Sequence, residues 1–600
     1  MRDQSRPTFG TAGIIYTSSH DDHRTREDAW LTEAFRPTPQ TRLTVWRDHD
    51  IVVVTAQHAA GNQSQPGLFN ATLPGGFGLT GLVAGDFFGG VDAQAAQMAL
   101  TTALLGRWRS DGACAFRDVN GVWVGVVWDR EQRTAHIVRD GVGSERLYVV
   151  RCADGVAFST DLRVLRSAGL LGAIDEQAAA EFLHYLYVPP PRAIVHDCHA
   201  VLPGHVLSVE PSTTRQERYI GPRFIGGSPL PKGSDVRREA ERFLPEFEDR
   251  LLTAVSECIP KRGRVLLPLS GGQDSSTIAV ALSKICRDRV VAFTVGERDL
   301  RMSEVGDAAS VAQALGLEHH VYTPTDTDLA RTLPRFISEM DQPVGDPAAY
   351  PYFLGILHAP EDCDVVIYGA GNDDYFGVTG RDKYLKFKLR SDIQRVVPRA
   401  LWPHFLSALA LGPAGVQRLG KAWKKPIEET FVAWDGWPES ELSALWQRPV
   451  SLADTELWKM MRTANPSEWR ELSQEVIGGL WEPHTGYVKA SHFTHAAGKG
   501  IRFPFLDSRL KQFGHDLPLE LKLDKQILLA YMAKSLPPAI VNKPKGSFMF
   551  DLGRLFLNPE YRWAEALQRS GQLHAFGGWA ERPIADLLAA YSRSPEEPRR

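Results

Sequence analysis

The sequence predicts two domains of different class: an α+β sandwich followed by an α/β domain built on a doubly wound parallel sheet with extra C-terminal helices. Three observations carry this. The 600 residues are too many for one core. Between about residues 40 and 210, short strand-like runs recur with turn residues roughly every eight to twelve positions. Beyond residue 236 the period changes, and strands alternate with helices.

The first domain is expected over 1–215. Its strand signals are Leu43–Trp46, Ile51–Val54, Val122–Trp128, Thr134–Arg139, Arg146–Arg151 and Val156–Ser159, spaced as an antiparallel meander. Helical runs at Ala93–Arg107 and Glu176–Leu186 pack on such sheets. The second stops at Val188, because Pro189, Pro190 and Pro191 cannot continue it. Val201–His205 then turns into a last strand, and the Pro- and Gly-rich passage Gly221–Gly233 marks a linker, taken as 216–235.

The second domain is expected over 236–590. Helix Val236–Cys258 leads to a buried strand, Arg264–Leu269, which breaks into Ser270-Gly271-Gly272-Gln273-Asp274-Ser275-Ser276 before the apolar run Ile278–Ile285. Strand Val290–Val295, helix Glu304–Leu315, strand His319–Tyr322, helix Asp328–Met340 and strand Val365–Tyr368 follow. Crossovers of this kind are right-handed, and their ligands lie at the carboxyl ends of the strands. A helical insertion is expected over about 380–480, with Arg381–Arg399 basic and interleaved with Tyr384 and Phe387. Four tryptophans, Trp446, Trp458, Trp469 and Trp481, are read as core, and 591–600 as a disordered tail.

Composition excludes several classes. A net charge of −4 gives no reason to expect nucleic acid or an anionic membrane surface. The six cysteines contain no C-x-x-C pair, which argues against structural zinc and dithiol chemistry and fits a reduced cytoplasm. No apolar run approaches the ~20 residues that span a bilayer, and Met1–Ser5 lacks the apolar core of a signal peptide.

The strand, glycine turn and helix start at 264–278 form a phosphate cradle: glycines permit close backbone approach, and a helix N-terminus favours an anion. A Walker loop would supply a Lys after its last Gly, and none stands here. Asp274 occupies the loop instead, and a carboxylate beside phosphates calls for a hard cation between them, Mg²⁺. A second acidic cluster, Gly369–Gly377 with Asp373, follows another predicted strand. Adjacent parallel strands would bring Asp274 and Asp373 to one Mg²⁺-bound pyrophosphate.

The loop Ser270–Ser276 resembles that of the ATP-pyrophosphatases. With Asp341–Pro347, Gly369–Gly377, Arg502–Asp507 and Lys543-Pro544-Lys545-Gly546 before Phe548, it occurs in the order found in the asparagine synthetase B family. The first domain resembles that family's glutaminase domain, of the Ntn type, at Arg139–Gly143, Leu147-Tyr148 and Leu202–His205. Two departures matter. Such glutaminases use a cysteine exposed by removal of Met1, and position 2 here is Arg. The amine-handling Glu of asparagine synthetases, or Tyr of β-lactam synthetases, corresponds to Ala370.

The resemblance implies ATP and Mg²⁺ as cofactors. Asp274 and Asp373 would hold the metal and Ser270, Gly271, Gly272, Ser275 and Ser276 the phosphates, with Leu267 and Val295 near the adenine and Gly369 closing over the nucleotide. Lys545 is the expected cation for the tetrahedral oxyanion, and Lys543 a second charge on the phosphates. Asp374 and Tyr375 are candidates for the base, Asp346 for shaping the substrate pocket, and Arg502 and Asp507 for bracing the framework. A relative without glutaminase chemistry takes its amine elsewhere. The chain looks most like a lasso peptide cyclase, which closes a macrolactam between a precursor peptide's N-terminal amine and an Asp or Glu side chain. A leader-binding protein and a leader peptidase are the implied partners, with no nucleic acid and no membrane. The alternatives are a β-lactam synthetase-like small-molecule ligase and a catalytically silent peptide scaffold.

Overall fold

The computed structural model describes residues 10–17, 29–35, 41–58, 68–69, 79–87, 103–297, 303–377, 389–412, 436–455 and 482–543, with short internal breaks. Twelve strands among the described residues make the first domain. They are β1 (Gly10–Tyr16), β2 (Thr41–Asp48), β3 (Ile51–His58), β4 (Leu68–Phe69), β5 (Leu79–Phe87), β6 (Gly121–Asp129), β7 (Thr134–Arg139), β8 (Tyr148–Cys152), β9 (Gly155–Ser159), β10 (Cys198–Ala200), β11 (His205–Val209) and β12 (Thr214–Arg218). They form two antiparallel sheets of six, ordered β10-β8-β9-β1-β3-β2 and β12-β11-β7-β6-β5-β4. The expected sandwich is present as two sheets facing each other, and β12 runs past the boundary placed at 215.

Strand alternation explains the long apolar run in β6. Val124, Val126 and Trp128 point into the core shared with Ile15, Val53 and Phe158 of the other sheet. Trp123 and Val127 point the opposite way, under the helical residues 103–111 through Leu104 and Leu105. Both faces are covered, so both sets are apolar. The first half of the expected helix Ala93–Arg107 lies outside the described residues. Two further helices, α1 (Leu162–Ser167) and α2 (Glu176–Tyr185), start at the side-chain caps Asp161 and Asp175. Leu186 ends α2 in a left-handed conformation, three residues before the prolines.

In the second domain, α3 (Val236–Cys258) precedes a five-stranded parallel sheet: β13 (Arg264–Pro268), β14 (Val290–Val295), β15 (Glu318–Tyr322), β16 (Cys363–Ile367) and β17 (Gly500–Arg502). The order is β15-β14-β13-β16-β17, every pair parallel. Its crossovers are α4 (Gln273–Cys286), α5 (Val305–Leu315), α6 (Asp326–Glu339) and α7 (Ala349–His358). The direction of winding reverses between β13 and β16, which leaves a crevice at their carboxyl ends. Helix α8 (Gly486–Ala496) leads into β17, and α9 (Ser508–Asp516) and α10 (Gln526–Met532) close the bundle against α3. The expected insertion 380–480 lies mostly outside the described residues, and the tail 591–600 wholly so. No helix among the described residues is long and apolar enough to cross a membrane.

Candidate active site at the switch point

β13 is apolar because it is the central strand, buried on both faces. Its chain turns at Gly271, whose φ of +75° suits glycine and whose absent Cβ lets the turn lie against α5: a Cβ there would meet Asp307 Cβ at 2.5 Å and Ala308 N at 2.7 Å. Serine hydroxyls hold the turn from within. Ser270 N donates to Ser275 Oγ (3.2 Å), and Gly272 N donates to Ser270 Oγ (3.2 Å). Gly272 is the N-cap of α4, so Asp274 belongs to the first helical turn rather than to the loop. The helix therefore starts two residues earlier than Ser275.

β16 ends in a matching way. Gly371 adopts φ +97°, and the helical turn Asn372–Tyr375 follows. The two corners touch: a Cβ on Gly369 would lie 3.2 Å from the Asp274 carbonyl. Asp274 and Asp373 converge on one ammonium, that of Lys525, which bonds Asp274 Oδ1 and stands 2.7 Å from Asp373 Oδ1. Asn372 Nδ2 also donates to Asp274 Oδ1. Burial pushes the Lys525 ammonium down, but the two carboxylates outweigh it and raise its pKa above the ordinary lysine value.

A cavity of about 330 Å³ opens over these carboxylates. Leu266, Phe293 and Val295 give it an apolar wall at the ends of β13 and β14, and Ser270, Asp274, Ser275, Gly369 and Asp373 a polar floor. Leu267, Gly271, Gly272 and Ser276 do not line it. Alternation along β13 sends Leu267 to the opposite face, Ser276 is buried on the packed side of α4, and the glycine turn leans on α5. Lys543 pairs with Asp307, the residue against which that turn rests. Lys545 lies outside the described residues. The lining adds two groups with no sequence signal, Lys489 of α8 and Glu304 before α5. Burial pushes the Glu304 carboxyl up to about 7, against the opposing pull of Lys543.

Asp374 and Tyr375 are not at the cavity. Tyr487 Oη donates to Asp374 Oδ2, and both acid and phenol are buried behind the corner, where burial raises the Tyr375 pKa further. Helical geometry turns these two residues inward when Asp373 points out. Asp507 caps α9, accepting from Arg509 N (2.9 Å) and from Asn120 Nδ2 (2.7 Å) of the first domain, and the Arg502 guanidinium donates to Ile501 O (3.0 Å). Asp346 bonds Lys489.

Comparison with known proteins identifies the family. The asparagine synthase family profile matches residues 246–600, more than half of the sequence. The chain belongs to the asparagine synthase family. A glutamine amidotransferase domain profile matches residues 96–220 of this family member, in agreement with its Ntn-type sandwich. It is 24% identical over 489 residues to asparagine synthetase [glutamine-hydrolyzing] 1 of Bacillus subtilis, spanning 79% of this chain and 75% of that one. It is 28% identical over 290 residues to a putative asparagine synthetase of Mycobacterium tuberculosis, spanning 46% and 42%. Over 97 residues it is 42% identical to the NH(3)-dependent NAD(+) synthetase of Methanopyrus kandleri, 16% of this chain and 30% of that one.

The residues present fit Mg²⁺. A lysine ammonium already bridges the two carboxylates, so the site is built around one positive charge, and its donors are hard oxygens. Asn372 Oδ1, a buried acceptor beside the pair, has no hydrogen-bond partner among the described residues. No cluster of three or more metal-ligating side chains exists among the described residues. A cation held by two carboxylates takes its remaining ligands from phosphate oxygens and water, the usual habit of Mg²⁺.

Proposed function

We propose that this chain, an asparagine synthetase-like ATP-dependent carbon–nitrogen ligase, adenylates an Asp or Glu side chain of a precursor peptide and closes a macrolactam with the peptide's N-terminal amine. One observation carries the ligase reading: Asp274 and Asp373, in the helical turns that follow the two strands at the switch point, bond one cation at the floor of a cavity with an apolar wall. In this reading the apolar wall takes the adenine, and the polar floor takes the phosphates. Asp274 and Asp373 would hold Mg²⁺, which neutralises and orients the leaving pyrophosphate when bound.

The substrate carboxylate attacks the α-phosphorus; a carboxyl-oxygen bond to phosphorus forms, the α–β bridge breaks, and pyrophosphate leaves. The amine then adds to the acyl carbon and gives its proton to water, the carbon–oxygen bond of the mixed anhydride breaks, and AMP departs with the bridging oxygen. Lys543, which pairs with Asp307 beside the glycine turn, is proposed as a second charge on the phosphates. Lys545 is proposed as the oxyanion's partner on the strength of its motif alone.

The macrolactam reading is supported by two absences in the sequence. Arg2 stands at the position where the resemblance expects the glutaminase cysteine, and Ala370, which lines the cavity, carries no amine-handling side chain. Labelled pyrophosphate exchange into ATP, dependent on a linear peptide bearing Asp or Glu, tests the first half; loss of one water from that peptide by mass tests the second. ADP as product would overturn the ligase reading. Exchange driven by a small amino acid, with no peptide turnover, would favour a β-lactam synthetase-like ligase, and nucleotide binding without turnover a peptide scaffold. A leader-binding protein and a leader peptidase are the proposed partners.

A further inference from the structure

We infer that Lys489 is the charge that receives the substrate carboxylate, and that the amidotransferase-like domain sets its position. The inference rests on the adenylation reading and adds a residue and a role for the first domain.

The cavity holds three acids, Asp274, Glu304 and Asp373, before any nucleotide enters. Lys525 offsets Asp274 and Asp373, but a substrate carboxylate approaching a triphosphate there still needs a counter-charge of its own. Among the described residues that line the cavity, Lys489 is the cation. Its side chain is 7% exposed and pairs with Asp346, itself 12% exposed. Such a pair is costly to bury and repays that cost where the charge is used. The lining also includes three small residues, Ala348, Ala370 and Gly486, where a carboxyl group meets little bulk.

The segment that carries Asp346 is held residue by residue from the first domain. Arg163 Nη1 donates to Glu339 Oε2 (2.9 Å), and Arg146 pairs with Asp341. Ile194 N donates to Gln342 Oε1 (2.8 Å) while Gln342 Nε2 donates to Tyr148 Oη (2.7 Å). Gly345 N donates to Leu186 O (2.8 Å), one residue before Asp346. A domain that has no nucleophile at position 2 still grips the strip of chain that aims Lys489 into the cavity. Lys489 holds one carboxyl oxygen while the other attacks the α-phosphorus. It is a binding residue for the acid, and Gln342 is a positioning residue acting through Asp346.

The test is pyrophosphate exchange on the full chain with a panel of N-acetylated peptides bearing one Asp or Glu, together with trinitrophenyl-ATP binding. Lys489→Met is expected to raise the KM for peptide about tenfold or more, the scale of a lost hydrogen bond to a charged group. Affinity for trinitrophenyl-ATP stays within about twofold, because Lys489 does not hold the nucleotide. Lys489→Arg recovers part of the peptide KM, and Gln342→Ala raises it with nucleotide binding unchanged. If Lys489→Met folds poorly, Lys489→Gln carries the same reading. An unchanged peptide KM overturns the inference, and so does a loss of nucleotide affinity that matches the loss of exchange. Parent protein that exchanges with no peptide in the panel overturns the adenylation reading itself, and this inference with it.

Discussion

The ammonium of Lys525 stands 2.7 Å from Asp373 Oδ1 and bonds Asp274 as well, so one lysine at the head of α10 holds together the ends of β13 and β16. Lys525→Met leaves two facing carboxylates without their counter-charge. Both acids are about a third exposed, at 33% and 32%, and water screens part of the repulsion. A loss of about 1–3 kcal/mol is expected in urea unfolding without ligand. Millimolar Mg²⁺ should restore more stability to Lys525→Met than to the parent, since it supplies the missing charge. The Lys525 pKa is raised, so its contribution is complete below the unfolded lysine value and persists up to the folded one. The deficit should therefore be flat between about pH 6 and 9. Equal Mg²⁺ responses in the two proteins would count against a shared cation site.

Much of this site was legible in the sequence, for a physical reason. Phosphate cradles and acidic strand ends are local features, and parallel crossovers predict which ends meet, so Asp274 and Asp373 could be paired from a distance. Lys525, Lys489 and Glu304 gave no such signal. Each is a single charge in a helical context, indistinguishable from a solvated face until the packing is known. Asp374 and Tyr375 failed for the opposite reason: adjacency to Asp373 was the only argument, and in a helical turn neighbours point apart. In the first domain the strand runs were readable from period and turns and the sandwich was expected, but which strands neighbour which, as β1 lies between β3 and β9, depends on long-range pairing that period does not encode.

Glu304 should make nucleotide binding depend on pH. Its carboxyl faces the cavity and titrates near 7, against 4.5 for an ordinary glutamate. As pH rises through that value the cavity gains a negative charge, and affinity for a polyanion falls. Between pH 6 and 8.5, trinitrophenyl-ATP affinity is expected to drop several-fold in the parent and to stay nearly level in Glu304→Gln. The stability sign agrees: a raised folded pKa gives stability that is present below 4.5 and lost as pH rises through 7. Glu304→Gln should thus be more stable than the parent above pH 7, by at most about 3 kcal/mol, and no different at pH 4. A Glu304→Gln protein with the parent's pH profile would remove Glu304 from the site.

Gly271→Ala tests the turn. The new methyl would sit 2.5 Å from Asp307 Cβ and 2.7 Å from Ala308 N, at a φ of +75° that alanine disfavours. Backbone cannot yield as a flexible side chain does, so the turn must shift away from α5. Expected are a cost of about 1–3 kcal/mol and loss of most pyrophosphate exchange, because Ser270 and Gly272 move with the turn. Gly272→Ala is the control: its Cβ meets only Ser270 Oγ at 3.1 Å, and its φ of −71° is ordinary, so its effect should be smaller. Equal losses in both would mean that the turn does not depend on the Gly271 conformation.

The domain interface has its own test in Arg146 and Asp341, whose side chains are 8% and 0% exposed. Removing one partner of a buried ion pair strands the other, which typically costs about 3–5 kcal/mol. Arg146→Met should show this in chemical denaturation, because Asp341 keeps only the weak donation from Leu162 N at 3.5 Å and its bond from Gln342 N at 2.8 Å. Replacing both, as Arg146→Met with Asp341→Leu, removes the stranded charge and should recover at least half of the loss. The interface also fixes how unfolding proceeds. With the pair intact, the domains should unfold in one transition; with Arg146→Met, the first domain should separate, and two transitions appear. Double-mutant recovery without restored single-transition unfolding would mean that the pair stabilises the synthetase segment but does not couple the domains.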